Sequence, residues 1–272
     1  MSLCIEYQPK ALSYDEFHRL DRECFPQEPI QRKAFVNFVQ HDFWAAYESL
    51  TLVGYSYMIR KPDVSWLSRI AVAAEYRDRG IAAQMMQSII EHSISIGLPE
   101  MILYVRSDNI PAIRLYEGFG FTSIESAYQY VLPNPQQMLS APASEAISAV
   151  PINLLAKSAR PQFPREWANL AEMHNPPEVF VLVFRDQFAS NQGYCRLNPQ
   201  FPGCFPFVVD RPSINLLPTL QALRSYLLPE KESLILTFSD SHLAITCTEM
   251  GLKMNYQLFK MFRLGSIRQE NR

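Results

Sequence analysis

Ile70-Ala-Val-Ala-Ala-Glu-Tyr-Arg-Asp-Arg-Gly-Ile-Ala82 is the stretch that decides how this chain folds. A strand-like run ends at Val72, the chain turns through Arg77 to Gly80, and a helix-forming segment begins at once. An opening helix leaves four N–H donors unpaired and carries roughly half a positive charge. Such a junction suits an anion, phosphate oxygens above all. Gly80, without a Cβ, lets a ligand approach the backbone closely, and Arg77 and Arg79 add positive charge to the turn. Alone the pattern is weak, because many helices open after a turn containing Arg and Gly.

A second segment strengthens it. Asn109-Ile-Pro-Ala-Ile-Arg-Leu-Tyr-Glu-Gly-Phe-Gly-Phe121 follows the strand-like Met101-Ile-Leu-Tyr-Val105. Between the two motifs runs an amphipathic segment from Arg79 to about Ile96, with Ile81, Met85, Met86, Ile89, Ile90 and Ile94 spaced by three and four for burial. Arg77, Gly80 and Ala82 meet the pattern Arg/Gln-x-x-Gly-x-Gly/Ala. Asn109, Ala112, Leu115-Tyr116 and Gly120-Phe121 meet a second pattern of Asn, Ala, Leu-Tyr and Gly-Phe. In that order and at that separation, residues 66–132 resemble the GNAT N-acyltransferase superfamily, whose members move an acyl group from coenzyme A to an amine.

The resemblance implies an α/β fold, a mixed sheet with helices on both faces, with acetyl-CoA as donor and a primary amine of a small molecule or peptide as acceptor. It implies that Ile70, Ala71 and Val72 bond the pantetheine arm through their backbone. Arg77, Asp78, Arg79, Gly80, Ile81, Ala82 and Ala83 would hold the diphosphate, mainly through N–H groups, and Asn109 completes the donor-binding set. A backbone N–H near Val72 would stabilise the oxyanion, and Tyr116 would act on the departing sulfur. Proton transfer from a phenol near 10 to a thiolate near 8.5 is uphill by about 2 kcal/mol, so a strong hydrogen bond or partial transfer describes that step. Packing alone is the plainer role for an amphipathic-helix tyrosine.

A base is harder to assign. Some relatives that acetylate protein N-termini carry Glu where this chain has Tyr104. Asp21, Glu23 and Glu28 fall in the segments that line the acceptor cleft in the family, though each reads more simply as a solvated surface carboxylate. His18, His41 and His92 have no positional support. Tyr55 and Tyr57 alternate with core positions and either face the acceptor or pack.

Composition bounds the rest. The chain has 272 residues, 48% of them apolar and 12% aromatic, a net charge of −2 and a pI near 6.2. That length suits one large domain or two ordinary ones, and the charge offers no general attraction to nucleic acid or anionic lipid. No apolar run reaches eighteen residues, so no membrane span is expected. The start lacks signal-peptide character, which points to the cytoplasm. Cys4, Cys24, Cys195, Cys204 and Cys247 are scattered without ligand spacing, so free thiols are expected and a metal site is not.

Along the chain, strands are expected at Ile5–Gln8, Phe43–Tyr47, Leu50–Ile59 and Trp66–Val72. The alternation from Val53 to Ile59 suggests one buried face and one exposed. Ser13 reads as the N-cap of a helix toward Cys24, with Asp15 and Glu16 in its first turn, and a second helix spans Arg32 to Val39. Residues 1–132 form the first domain. Residues 133–165, with Pro133, Pro135, Pro142, Pro151, Pro161 and Pro164, read as a linker carrying at most a short helix near Glu145–Val150.

Residues 166–272 read as a degenerate GNAT-like domain. Strands are expected at Glu178–Phe184, Gly193–Leu197, Cys204–Val209, Ser233–Phe238 and Met254–Phe262, and helices at Leu217–Leu228 and His242–Met250. A loose internal alignment puts Cys247 in the place of Tyr116. Where a diphosphate turn belongs, Val208-Val-Asp-Arg-Pro-Ser-Ile-Asn-Leu-Leu-Pro218 has no glycine, and two prolines remove backbone donors. This domain is therefore expected to bind no coenzyme A and to pack, to support a homodimer or to wall the acceptor site. Besides acetyl transfer, two readings stay open: a catalytically inactive acyl-CoA-binding sensor or scaffold, and a donor with a longer acyl chain.

Overall fold

The computed structural model describes residues 3–26, 29–139, 147–200 and 203–265. Two compact units divide the chain. Unit 1 holds the chain up to Val105, Asn109–Ile124 and the part from Lys260 on; unit 2 holds Arg106–Asp108 and Glu125–Phe259.

In unit 1, β1 (Leu3–Tyr7) is followed by α1 (Tyr14–Cys24), α2 (Arg32–Phe38), β2 (Asp42–Glu48), β3 (Thr51–Arg60) and β4 (Ser65–Val72). Ser13 caps α1 by accepting from Glu16 N–H. The four strands are antiparallel in sequential order. Next come α3 (Ile81–Ser95) and β5 (Met101–Arg106), which joins β4 in parallel. Parallel neighbours need a crossover, which α3 supplies. Helix α4 (Ile110–Gly118) follows, capped by the Asn109 side chain on Ala112 N–H.

Both faces of β3 are covered, contrary to the one-sided expectation: Leu52 through Met58 are all buried. The Tyr55 ring lies 4.8 Å from Phe17 of α1. On the opposite side, a Cβ added at Gly54 would come within 3.2 Å of Met85 of α3. Helix α3 buries Ile81, Met85, Met86, Ile89 and Ile90 as its spacing requires, but Ile94 is exposed and Ser93 takes the inward place. Ser93 bonds Ser65 and the Leu98 carbonyl there, so the helix end is tied down by hydroxyls.

Unit 2 repeats this order of elements. Strand β6 (Thr122–Pro133), which begins in unit 1, leads to the short α5 (Pro135–Met138), and then β7 (Ile147–Pro151), β8 (Phe180–Asp186), β9 (Asn191–Asn198) and β10 (Gly203–Val209) form an antiparallel set. Helix α6 (Pro212–Leu223), β11 (Ser233–Phe238), α7 (Ser241–Glu249) and β12 (Lys253–Arg263) complete it. Strand β11 is parallel to β10 and antiparallel to β6. The segment expected to hold a helix near 145–150 instead forms β7, whose Ala149 and Val150 pair with Phe184 and Val183; residues 140–146 lie outside the described residues. Turns of 3-10 helix at Ile152–Leu154, Lys157–Ala159, Arg165–Trp167 and Leu170–Met173 stand where unit 1 has α1 and α2.

Helix α6 starts five residues before the Leu217 expected. Pro212 sits at its first turn, where a missing N–H costs nothing, and Pro218 is accommodated inside the helix. The repeat extends to helix endings. Tyr116 and Cys247 each hold the seventh position of their helix. Each carbonyl accepts from the amide just after a glycine in the left-handed region, Phe121 N at 3.1 Å and Leu252 N at 3.0 Å.

Strand β12 starts in unit 2, where Asn255 donates to Gln129 at 2.7 Å. It ends in unit 1 beside β5, where Arg263 Nε donates to the Phe119 carbonyl at 2.9 Å. No helix among the described residues is long and apolar enough to cross a membrane.

Candidate active site

Strands β4 and β5 pair only at Ser65–Met101, Trp66–Ile102 and Leu67–Leu103, while β4 continues to Val72. Beyond Leu67 the outer edge of β4 is therefore open. Ala73 N–H donates to Val53 O at 2.9 Å. Strand alternation then turns the N–H and C=O of Ile70 and Val72 away from β3 and toward that opening. The Val72 carbonyl is held there by Arg77 Nε at 3.1 Å and approached by the Cys24 thiol at 3.5 Å. The Val72 amide stays available.

From Val72 the chain makes a 3-10 turn at Ala74–Tyr76 and an extended residue at Arg77. It enters α3 through two left-handed residues, Asp78 at φ 60° and Gly80 at φ 75°. Nothing lies within 4 Å of a Cβ built on Gly80, so its positive φ, not crowding, calls for glycine here. No side chain caps α3, and the amides of Ile81, Ala82 and Ala83 have no acceptor among the described residues. Asp78 is exposed. Arg77 and Arg79 are less available than their sequence suggests. Arg77 braces Val72, and Arg79 donates to Glu75 O at 3.2 Å, pairs with Glu48 at 3.5 Å and lies over the Tyr76 ring. Anion affinity at this turn thus rests on backbone donors more than on guanidinium charge.

Tyr116 is 6% exposed, and its hydroxyl makes no hydrogen bond among the described residues. Burial pushes its phenol well above the ordinary range, so it stays protonated and is a hydrogen-bond donor in wait. Asn109 is occupied as the cap of α4, its Oδ1 accepting from Ala112 N–H at 3.3 Å.

The structure also assembles a buried polar cluster. Asp21, read in the sequence as a surface carboxylate, is fully buried on α1. It accepts from Arg69 Nη1 at 2.7 Å, from Ile30 N–H at 2.5 Å and from the Tyr55 hydroxyl. Tyr57 pairs across the sheet with Arg69 and receives Ser68 Oγ at 2.8 Å. Burial raises its phenol to about 12, the Arg69 charge partly opposing the shift. Burial likewise lifts Tyr55. Glu23 is exposed and accepts from Ala74 N–H at 2.6 Å, which ties the end of α1 to the exit of β4. Glu28 lies outside the described residues. The sequence did carry one signal for Asp21: it continues the stripe Phe17, Leu20, Cys24 at helical spacing. Arg69 had none, since its partner lies on another element.

Residues 13–121 match the Acetyltransferase (GNAT) family. That match covers less than half of the chain. A mycothiol acetyltransferase of Corynebacterium glutamicum is 31% identical over 80 residues, covering 29% of this chain and 27% of the relative. The uncharacterized N-acetyltransferase YobR of Bacillus subtilis is 31% identical over 126 residues, 44% of this chain and 49% of its own. The chain thus spans no more than about half the length of these curated relatives. A GCN5-related N-acetyltransferase from Sphaerobacter thermophilus shares the fold over 97% of both chains, with a TM-score of 0.65 and 13% identity. A putative acetyltransferase from Pyrococcus horikoshii does so over 97% of this chain and 89% of its own, with a TM-score of 0.63 and 14% identity. The likeness therefore extends beyond the family match into unit 2.

Proposed function

We propose that the chain transfers an acetyl group from acetyl-CoA to a primary amine of a small molecule or peptide, by direct attack on the thioester. The observation that carries this reading is the open edge of β4, whose outward Val72 amide leads without interruption to the unclaimed N–H groups that open α3. Ile70 and Val72 hold the pantetheine arm through the backbone groups that face the open edge, the Ala71 groups being turned to Tyr55 of β3 instead of outward as expected, and the turn from Arg77 to Ala83 takes the diphosphate. The amine nitrogen adds to the thioester carbon, and negative charge gathers on its oxygen. A fixed N–H such as that of Val72 contributes about 3–4 kcal/mol to such a transition state. When the C–S bond breaks, the sulfur leaves with the electron pair, and the protonated Tyr116 hydroxyl meets it as a hydrogen-bond donor. Asp21 is fully engaged, so Glu23, which accepts from Ala74 N–H through one oxygen and has no partner for the other among the described residues, takes the amine's proton.

Thiol release from acetyl-CoA, measured with a panel of amines, amino acids and peptides, tests the proposal. Turnover is expected with at least one amine. Tyr116→Phe should lower it about 100-fold or more with acetyl-CoA affinity nearly unchanged, in line with the loss of one acid-type contact, and Glu23→Gln should lower turnover with acetyl-CoA binding retained. Binding of acetyl-CoA with no release across the panel would leave a sensor in place of an enzyme. Absence of binding would remove both.

A further inference from the structure

Unit 2 contains a cavity of about 480 Å³ lined by Pro161, Phe163, Pro164, Asn191, Tyr194 and Asp210 among others. Its position can be read from the internal repeat. Gly54 pairs with Ala46 and Val72, and Gly193 pairs with Phe184 and Val209, each beside a register shift. Ala73 N–H donates to Val53 O, and Asp210 N–H donates to Gln192 O at 2.8 Å. Tyr194 therefore holds the place of Tyr55, Asn191 that of Leu52 and Asp210 that of Ala73.

In unit 1 this space is filled. Tyr55 packs on Phe17 and Phe43 and gives its hydroxyl to Asp21, while Leu52 and Ala73 are buried apolar neighbours. In unit 2 proline-containing 3-10 turns replace the helices, and two apolar positions have become polar. Tyr194 is 6% exposed, yet its hydroxyl has no partner among the described residues. Asn191 Nδ2 donates to Ala159 O at 3.2 Å, but its Oδ1 is buried without a partner. The Asp210 carboxylate, exposed at the rim, has no partner among the described residues, of which no Lys or Arg lines the cavity. Phe163 meets the Tyr194 ring edge-on at 5.0 Å. Buried acceptors left unmet are costly, and a volume of this size lies in the range of small-molecule pockets.

We propose that this cavity binds a primary ammonium ion on a short organic chain. The ammonium's N–H donors match the Asp210 carboxylate and the Tyr194 oxygen, two cavity-lining acceptors without a partner among the described residues. The aromatic pair and prolines receive the alkyl portion and the cation's face. Glu166 and Asp210 add negative charge beside the pocket, and with burial they hold the Tyr194 phenol near 12. A neighbouring cation, Arg211, is turned to Gln192 Oε1 at 2.9 Å.

Photolabelling of the full-length protein tests this. The probes are a short alkyl diazirine ending in a primary amine and the same diazirine ending in a hydroxyl, with adducts mapped by mass spectrometry. The amine should label peptides containing Phe163 and Tyr194 about tenfold more than the alcohol, as expected for one charge-assisted contact. Excess butylamine, but not butanol, should compete. Asp210→Asn, at the exposed rim, should erase most of the preference without changing the melting temperature. Equal labelling by both probes, labelling confined to unit 1, or indifference to Asp210→Asn would each overturn the proposal. Adducts in unit 1 report separately on the acceptor site there.

Discussion

Replacing Asp21 by alanine removes the centre of the buried cluster in unit 1. The carboxylate accepts from Arg69, Tyr55 and Ile30 with no exposure to water, and the Arg69 side chain is only 15% exposed. Hydrogen bonds to a charged group contribute about 1.5–3 kcal/mol each, but desolvation of both ions offsets much of that sum. Truncating one partner of a buried pair costs about 3–5 kcal/mol, mostly because the other charge is left stranded. At roughly 2–4 °C per kcal/mol for a unit of this size, unit 1 should melt about 6–20 °C lower. Hydrogen exchange read by mass spectrometry separates the units: peptides of α1, β3 and β4 should lose protection first. Asp21→Ala combined with Arg69→Met should regain at least about 1 kcal/mol by removing the desolvated guanidinium charge. A loss below about 1 kcal/mol in the single variant, or no recovery in the double, would refute the reasoning.

Acid should weaken unit 1 through Asp42, which accepts from Tyr7, from Arg60 at 2.6 and 2.7 Å and is met by His92 at 3.0 Å. Burial alone would raise its carboxyl, but the Arg60 and Tyr7 bonds outweigh it and bring the value to about 2. The folded value is below the unfolded one near 3.9, so this stabilisation is complete above about pH 4 and disappears as pH falls toward 2. Thermal melts from pH 6 to 2 should show up to about 2 kcal/mol of pH dependence that Asp42→Asn lacks. Gly80→Ala forces a Cβ into a left-handed residue, at about 1 kcal/mol, and titration calorimetry should show weaker acetyl-CoA uptake with little change in melting. Deleting the chain from Lys260 onward removes the β12 end and buried Met261 from unit 1. That variant should lose about 3 kcal/mol or more in a thermal melt.

What could be read from the chain alone was local. The Ser13 cap, the helix from Ile81 and the turn from Val72 to Gly80 depend on backbone preferences and contacts within a few residues. Helical spacing named five of the buried α3 residues for the same reason, and missed at Ile94 because Ser65 and Leu98, not hydrophobicity, decide that turn. Only the tertiary structure decided the rest. Asp21 is buried because partners 34 and 48 residues away neutralise and bond it. The last strand ends in unit 1, so Phe262 lies 140 positions from the Thr122 it meets. In unit 2 a cavity persists because proline-containing turns fail to fill a space that α1 fills in unit 1. Burial and pairing of this kind are properties of distant segments brought together, and no window of sequence contains both sides of such a contact.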